Sequence, residues 1–280
     1  MTAITATTVS TIGLTTNAEP GFGATLHSEW TKLRSLRSTW IVVSLAIGLS
    51  IGFSALIALT SGLTHDSWGE DVTAAFDPVL TTNSGSLFGS ILLIVLGVTA
   101  VTSEYSSRMV RTTFIVNPQR HRVFAAKTAI VALLGLAITT ISIPGMFLVS
   151  QPIFGYYGLE TASITDSATY RTLITITLTQ GLIYTMIPFS IGWLLRGTAS
   201  AITASIGFLW LPWMLGPLVP VWAKENVLRY LPDIAANSLS GITKADAAQY
   251  LGQTPAIITI AVWLTGSLVA AAVVLNRRDV

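Results

Sequence analysis

The chain carries three histidines, thirteen carboxylates and no cysteine, and the spacing of these groups excludes most reaction chemistry. His27, His65 and His121 stand far apart, without the H-E-x-x-H spacing that sets two imidazoles on one helix face around zinc. There is no G-x-S-x-G turn to present a serine nucleophile. There is also no G-x-x-x-x-G-K-[ST] loop to cradle the phosphates of a nucleotide. Without cysteine, disulfides and thiolate metal sites are excluded. His65, Asp66, Glu70, Asp71 and Asp77 lie close together in sequence and have the right types for a divalent cation, but a solvated loop with a charged face is the favoured reading. The chain is therefore expected to be no enzyme and to hold no cofactor or metal.

The elements around these residues are apolar to a degree that water cannot explain. Of the 280 residues 51% are hydrophobic and 10% charged, where soluble chains average about 25% charged. Six intervals contain no Asp, Glu, Lys or Arg: 38–65, 78–103, 128–159, 172–195, 197–223 and 247–276. Each exceeds the roughly 20 residues that a helix needs to cross a hydrocarbon core. Runs such as Ile91 to Leu96 do not alternate, which excludes the strands of a membrane barrel. The expected fold is an all-α polytopic membrane protein with six transmembrane helices, at about 39–60, 83–103, 123–149, 171–195, 198–221 and 255–276. These lie in a membrane domain over residues 23–280, behind a Thr-rich tail over 1–22 that is expected to be disordered and cytoplasmic. The second span is expected to start near Thr82.

Lys and Arg divide unequally between alternate loops, with eleven on the side of Lys32, Arg120 and Arg277 and four on the other. The positive-inside rule then makes both termini cytoplasmic in a cell membrane. Trp40 and Trp193 at one level and Trp222 at the other suit interfacial belts. Residues 24–38 read as an amphipathic helix in the inner interface, with Leu26, Trp30 and Leu33 on its apolar face and Glu29 and Lys32 elsewhere. The loop over 103–127 carries five bases and an Asn117-Pro118 turn signal, and is longer than a connection requires. A solvated basic loop or a docking element both fit it, and an ion pair of Glu104 with Arg108 at i+4 is expected there. No charge falls deep within a span, and Lys127, Arg171 and Arg196 at span ends are expected to snorkel. Hydroxyls on the first and fourth spans are read mainly as links between helices. Gly48 with Gly52, and Gly85 with Gly89, are spaced for close helix approach.

The order of a Ser28-Glu29-Trp30-Thr31-Lys32-Leu33-Arg34 entry, two spans, Glu104-Tyr105, then Arg111, Pro118, Arg120 and Lys127 resembles the membrane subunit of ABC type-2 exporters. It resembles in particular the short six-span permeases of high-GC Gram-positive bacteria. The resemblance covers residues 24–278. One departure is Arg108-Met109, where relatives commonly carry Gly-Thr.

The resemblance implies that Glu29, Lys32, Glu104, Tyr105, Arg108, Arg111, Pro118, Arg120 and Arg122 face a cytoplasmic ATP-binding subunit. Two copies of that subunit would hold ATP and Mg and drive two permease subunits, identical or different, by alternating access. It also implies an outer gate at Leu231, Pro232, Asp233 and Asn237, formed by short re-entrant or surface helices, where the residues alone allow a solvated loop equally. The implied cargo is amphiphilic or hydrophobic, because the expected path has hydroxyls and no fixed charge, and lipid is the surrounding medium. Neither net charge nor loop pattern suggests nucleic acid. A non-transporting immunity or sensory scaffold that uses the same loop to hold a cytoplasmic partner is the alternative.

Overall fold

The computed structural model describes residues 21–106 and 119–277, all but the Trp213 side chain. The expected tail over 1–22, apart from its last two residues, and Arg108, Arg111 and Pro118 lie outside the described residues. Among the described residues every regular element is a helix.

The chain opens with α1 (Phe22–Ser35), which stops at an extended Leu36 before the long α2 (Arg37–Thr64). Two short helices follow, α3 (Glu70–Ala74) and α4 (Pro78–Asn83). Asp77 starts α4 by accepting the amides of Val79 at 2.8 Å and Leu80 at 2.9 Å, with Pro78 preset for the first helical position. After a break at Ser84 and Gly85 come α5 (Ser86–Ser106), α6 (Arg120–Tyr156) and α7 (Ser167–Leu195). Asp166 caps α7, and Arg196 closes it in the left-handed region at φ 58°. The remaining helices are α8 (Thr198–Leu215), α9 (Val221–Asn226), α10 (Pro232–Ser240) and α11 (Gln253–Arg277).

Five helices, α2, α5, α6, α7 and α11, are long and apolar enough to cross a membrane. α8 is the exception to the expected spans. It covers 18 residues, about 27 Å at 1.5 Å per residue, and ends at Leu215 instead of reaching residue 221. Gly216, Pro217 and Pro220 stop it. The second span also differs, because the apolar helix begins at Ser86 and Thr82 belongs to the separate α4.

Helix α7 forms the centre, packing against α5, α6, α8, α10 and α11. Its apolar window is 61% buried, against 22% for α2 and 17% for α11, so those two helices form the apolar exterior. Small residues set the spacing at the centre. A Cβ on Gly97 of α5 would collide with the Thr185 carbonyl of α7, and one on Gly135 of α6 would come within 2.6 Å of the Gly181 carbonyl. Gly85 and Gly89 likewise meet Ser50 and Ser54 of α2, as their spacing suggests, whereas Gly48 and Gly52 face open space. Ser54 links helices as expected, meeting Ser150 of α6 at 2.7 Å, and Thr139 of α6 donates to the Thr177 carbonyl at 2.9 Å, whereas Ser50, Thr175 and Thr179 donate to carbonyls of their own helices.

Candidate functional site

Two polar features interrupt this apolar bundle, one at the basic end where α1 lies and one between its middle and the opposite end. At the basic end α1 packs Leu33 and, in part, Leu26 of its expected apolar face against the core, but not Trp30. The residues it turns inward are Thr25, Glu29 and Leu33, one per turn, while Trp30 stays 38% exposed. The reason is electrostatic. Glu29 is 1% exposed, and its carboxylate meets Lys127 of α6 at 2.5 Å and Lys32 at 2.6 Å. Glu104 at the end of α5 completes the arrangement, with Lys127 at 2.9 Å and Lys32 at 3.3 Å. Two acids and two bases thus form a neutral ring that ties α1 to α5 and α6.

This ring corrects one expectation. Lys127 does not snorkel, because two carboxylates hold it 2% exposed inside the protein. Glu104 has partners on α1 and α6, and the expected pair with Arg108 lies outside the described residues. Burial pushes the Glu29 carboxyl up, but Lys127 and Lys32 together outweigh that and hold it below the usual carboxylate range. Burial pushes Lys32 down, but its hydrogen bond to Glu29 and the charge of Glu104 prevail and raise it.

Beside the ring, Tyr105 stacks edge-on against Trp193 at 5.9 Å, and the Arg196 guanidinium lies 5.1 Å from the Tyr105 ring centre. Trp193 is only 2% exposed, so it belongs to the core and not to an interfacial belt. Trp40 and Trp222 are exposed, as a belt would require. Arg120 donates to the Leu275 carbonyl at 3.1 Å, fastening the start of α6 to the end of α11.

The second feature depends on α10. Asp233, the second residue of α10, accepts a 2.6 Å hydrogen bond from the Tyr184 hydroxyl near the middle of α7. Ser240, its last residue, accepts from Thr172 in the second turn of α7 at 2.8 Å. Just before α10 the Tyr230 carbonyl accepts from Trp263, near the middle of α11, at 2.7 Å. The segment therefore dips to mid-bundle and climbs back beside α7, burying Pro232, Ile234, Ala235 and Ala236.

Between α10 and helices α2, α4, α5, α7 and α8 lies a cavity of about 350 Å³. Asn83, Ser84, Ser86, Ser90, Gln180 and Asn237 give its wall a polar side, Phe53, Leu209 and Trp210 an apolar one, and Asp233 a carboxylate.

Residues 25–210, about two thirds of the chain, match the family described as ABC-2 family transporter protein. The chain belongs to that family. It is a membrane permease subunit of an ABC transporter, a multi-pass protein that implies an ATP-binding partner. No curated protein matches it. The match runs from α1 through most of α8, so it includes the charge ring but not α10 or α11.

Of the residues expected to face the partner of this permease, the structure brings Glu29, Lys32 and Glu104 together, but with the carboxylates turned inward. Tyr105 sits beside them, and Arg120 and Arg122 sit in the first turn of α6. Of the expected gate residues, Asp233 and Asn237 line the cavity, and Pro232 is buried in α10. Leu231 is the residue just before that helix. Lys127 and Tyr184 escaped sequence reasoning as site residues, while Gln180 is read there mainly as a link between helices. The available signals were a lysine at the edge of an apolar run and a glutamine and tyrosine four residues apart inside one.

Proposed function

We propose that this permease is the membrane half of an ATP-driven exporter that carries an amphiphilic or hydrophobic cargo out of the cytoplasm. In this reading α8 serves as a short sixth span, and the basic end of the bundle is cytoplasmic with both termini. A second permease subunit, identical or different, completes the membrane part. Two ATP-binding subunits supply the energy, since the chain has no phosphate cradle of its own.

The observation that carries the reading is the charge ring. An interfacial helix held only by apolar contacts would slide in the interface. One fixed to α5 and α6 by four buried or half-buried charges moves as a unit with them. A push delivered to α1 and to the basic loop between α5 and α6 would then reach α7 through α5 and α6, and so the cavity and α10. The transport cycle is alternating access, with α10 as the outer gate and its Pro232, Asp233 and Asn237, with Leu231 just before them, at the moving edge.

The test is partner recruitment. Coexpressed with its ATP-binding subunit, the wild type is expected to co-purify with it, and Arg108→Glu with Arg111→Glu to lose it while remaining folded. Undiminished recruitment by the double variant refutes the assignment of the loop. A wild type that binds a cytoplasmic partner without ATP-dependent transport favours a scaffold.

A further inference from the structure

The cavity beside α10 combines a carboxylate, a row of hydrogen-bond acceptors and an apolar wall, and it holds no base. Among the described residues no Lys or Arg lines it, and no base forms an ion pair with Asp233. The carboxylate receives only the neutral donors Tyr184 at 2.6 Å and Asn237 at 3.4 Å, and the second of these is long for a hydrogen bond. Asp233 lies in the first turn of α10, where the helix dipole favours a negative charge. Such a carboxylate has two neutral hydrogen-bond donors and no counter-ion beside it.

A second observation points to the same ligand. The Asn83 side-chain oxygen is buried against the same cavity and has no hydrogen-bond partner. An acceptor left empty in a buried position costs about 1–3 kcal/mol, so it marks a place where a donor is missing. Trp210 and Phe53 supply aromatic surface to the cavity, and aromatic faces attract cations.

We infer that this cavity binds the protonated amine of an amphiphilic cation, with Asp233 as its counter-charge, Asn83 accepting one of its N–H bonds, and Trp210 and Phe53 against its apolar part. The inference rests on the exporter reading only in treating this ligand as cargo, and it narrows that cargo from amphiphilic to cationic. The deciding residue Asp233 lies beyond the segment that matches the family.

The test is calorimetric binding to the full chain in zwitterionic nanodiscs, using octylammonium, octanoate and octyltrimethylammonium as probes. Asp233→Asn keeps an oxygen for the Tyr184 hydroxyl and removes only the charge. The expected result is octylammonium binding that falls about tenfold or more in Asp233→Asn and recovers in part in Asp233→Glu. Octanoate should show no saturable binding to the wild type. Asn83→Ala should weaken octylammonium several-fold and leave octyltrimethylammonium, which has no N–H to donate, unchanged.

Octylammonium affinity within about twofold of wild type in a folded Asp233→Asn protein overturns the inference, as does octanoate binding that equals octylammonium. Competition by a lysophosphatidylethanolamine, whose ammonium carries N–H bonds, that disappears in Asp233→Asn assigns the cation to a lipid headgroup, and no competition assigns it to a soluble amphiphile. Both outcomes support a cation site. Because binding needs no ATP-binding subunit, intact cation binding without ATP-dependent octylammonium transport would reject the exporter reading alone.

Discussion

Removing Lys127 should release α1. Lys127→Met keeps the side chain's length and deletes the charge that meets Glu29 at 2.5 Å and Glu104 at 2.9 Å. With Lys127 2% and Glu29 1% exposed, water cannot replace the missing ammonium. Breaking one partner out of a buried ion pair costs about 3–5 kcal/mol. Lys32, at 29% side-chain exposure, still reaches both carboxylates, so the lower end of that range applies. About 3 kcal/mol is a factor of roughly 10² in the equilibrium between docked and released α1.

The absence of native cysteine makes the assay direct. Thr25 lies on the docked face at 3% exposure, so a maleimide reaches Thr25→Cys only when α1 lifts away. Its labelling rate should rise roughly 10²-fold in Lys127→Met. Adding Glu29→Gln to Lys127→Met should return most of the protection, because a neutral amide no longer has to be buried against a lost charge. A rise below about threefold in the single variant would refute the ring as the device that holds α1.

Gly97→Val should destabilise the contact between α5 and α7 by about 1–3 kcal/mol, lowering the thermal midpoint in detergent, since its Cβ meets the Thr185 carbonyl. Gly52→Val faces open space and should leave that midpoint nearly unchanged. The ring also sets a pH window. Glu29 is lowered, so its contribution is present above its unfolded pKa and lost as pH falls through the folded value. Lys32 is raised, so its contribution is present below its unfolded pKa and lost as pH rises through the folded value. Amide exchange of α1, corrected for its intrinsic rate, should therefore stay level between about pH 5 and pH 9 and rise below about pH 4.

The spans were legible because they depend on composition, and a charge-free interval longer than 20 residues has few other uses. Packing asymmetry was not legible. Gly48 and Gly52 have the same spacing as Gly85 and Gly89, yet only the second pair meets another helix, and no local signal distinguishes them. The ring was hidden for a related reason. Glu29, Glu104 and Lys127 are far apart in sequence, and each alone resembles a boundary charge in contact with water. The readable clue was Glu29 in line with Thr25 and Leu33, four residues apart on one helix face. Hydrophobic periodicity picked out Leu26 and Leu33 but passed over Glu29, because it gives no weight to a carboxylate with partners elsewhere in the chain. The dip of α10 was open to two readings, since nine residues of mixed polarity fit a surface loop as well as a buried helix. Contacts with Tyr184, Thr172 and Trp263 decide its place, and they come from helices that sequence spacing could not align.

The central claim is that ATP bound to a partner at the basic end changes access to the cavity beside α10. Asn237→Cys, the single cysteine of the chain, reports it from the cavity wall. In membranes that contain the chain and its ATP-binding subunit, trapping the subunit with ATP should change the external labelling rate of Asn237→Cys several-fold. The chain without the subunit should show no response to ATP. A labelling rate indifferent to ATP in the intact complex would contradict the account.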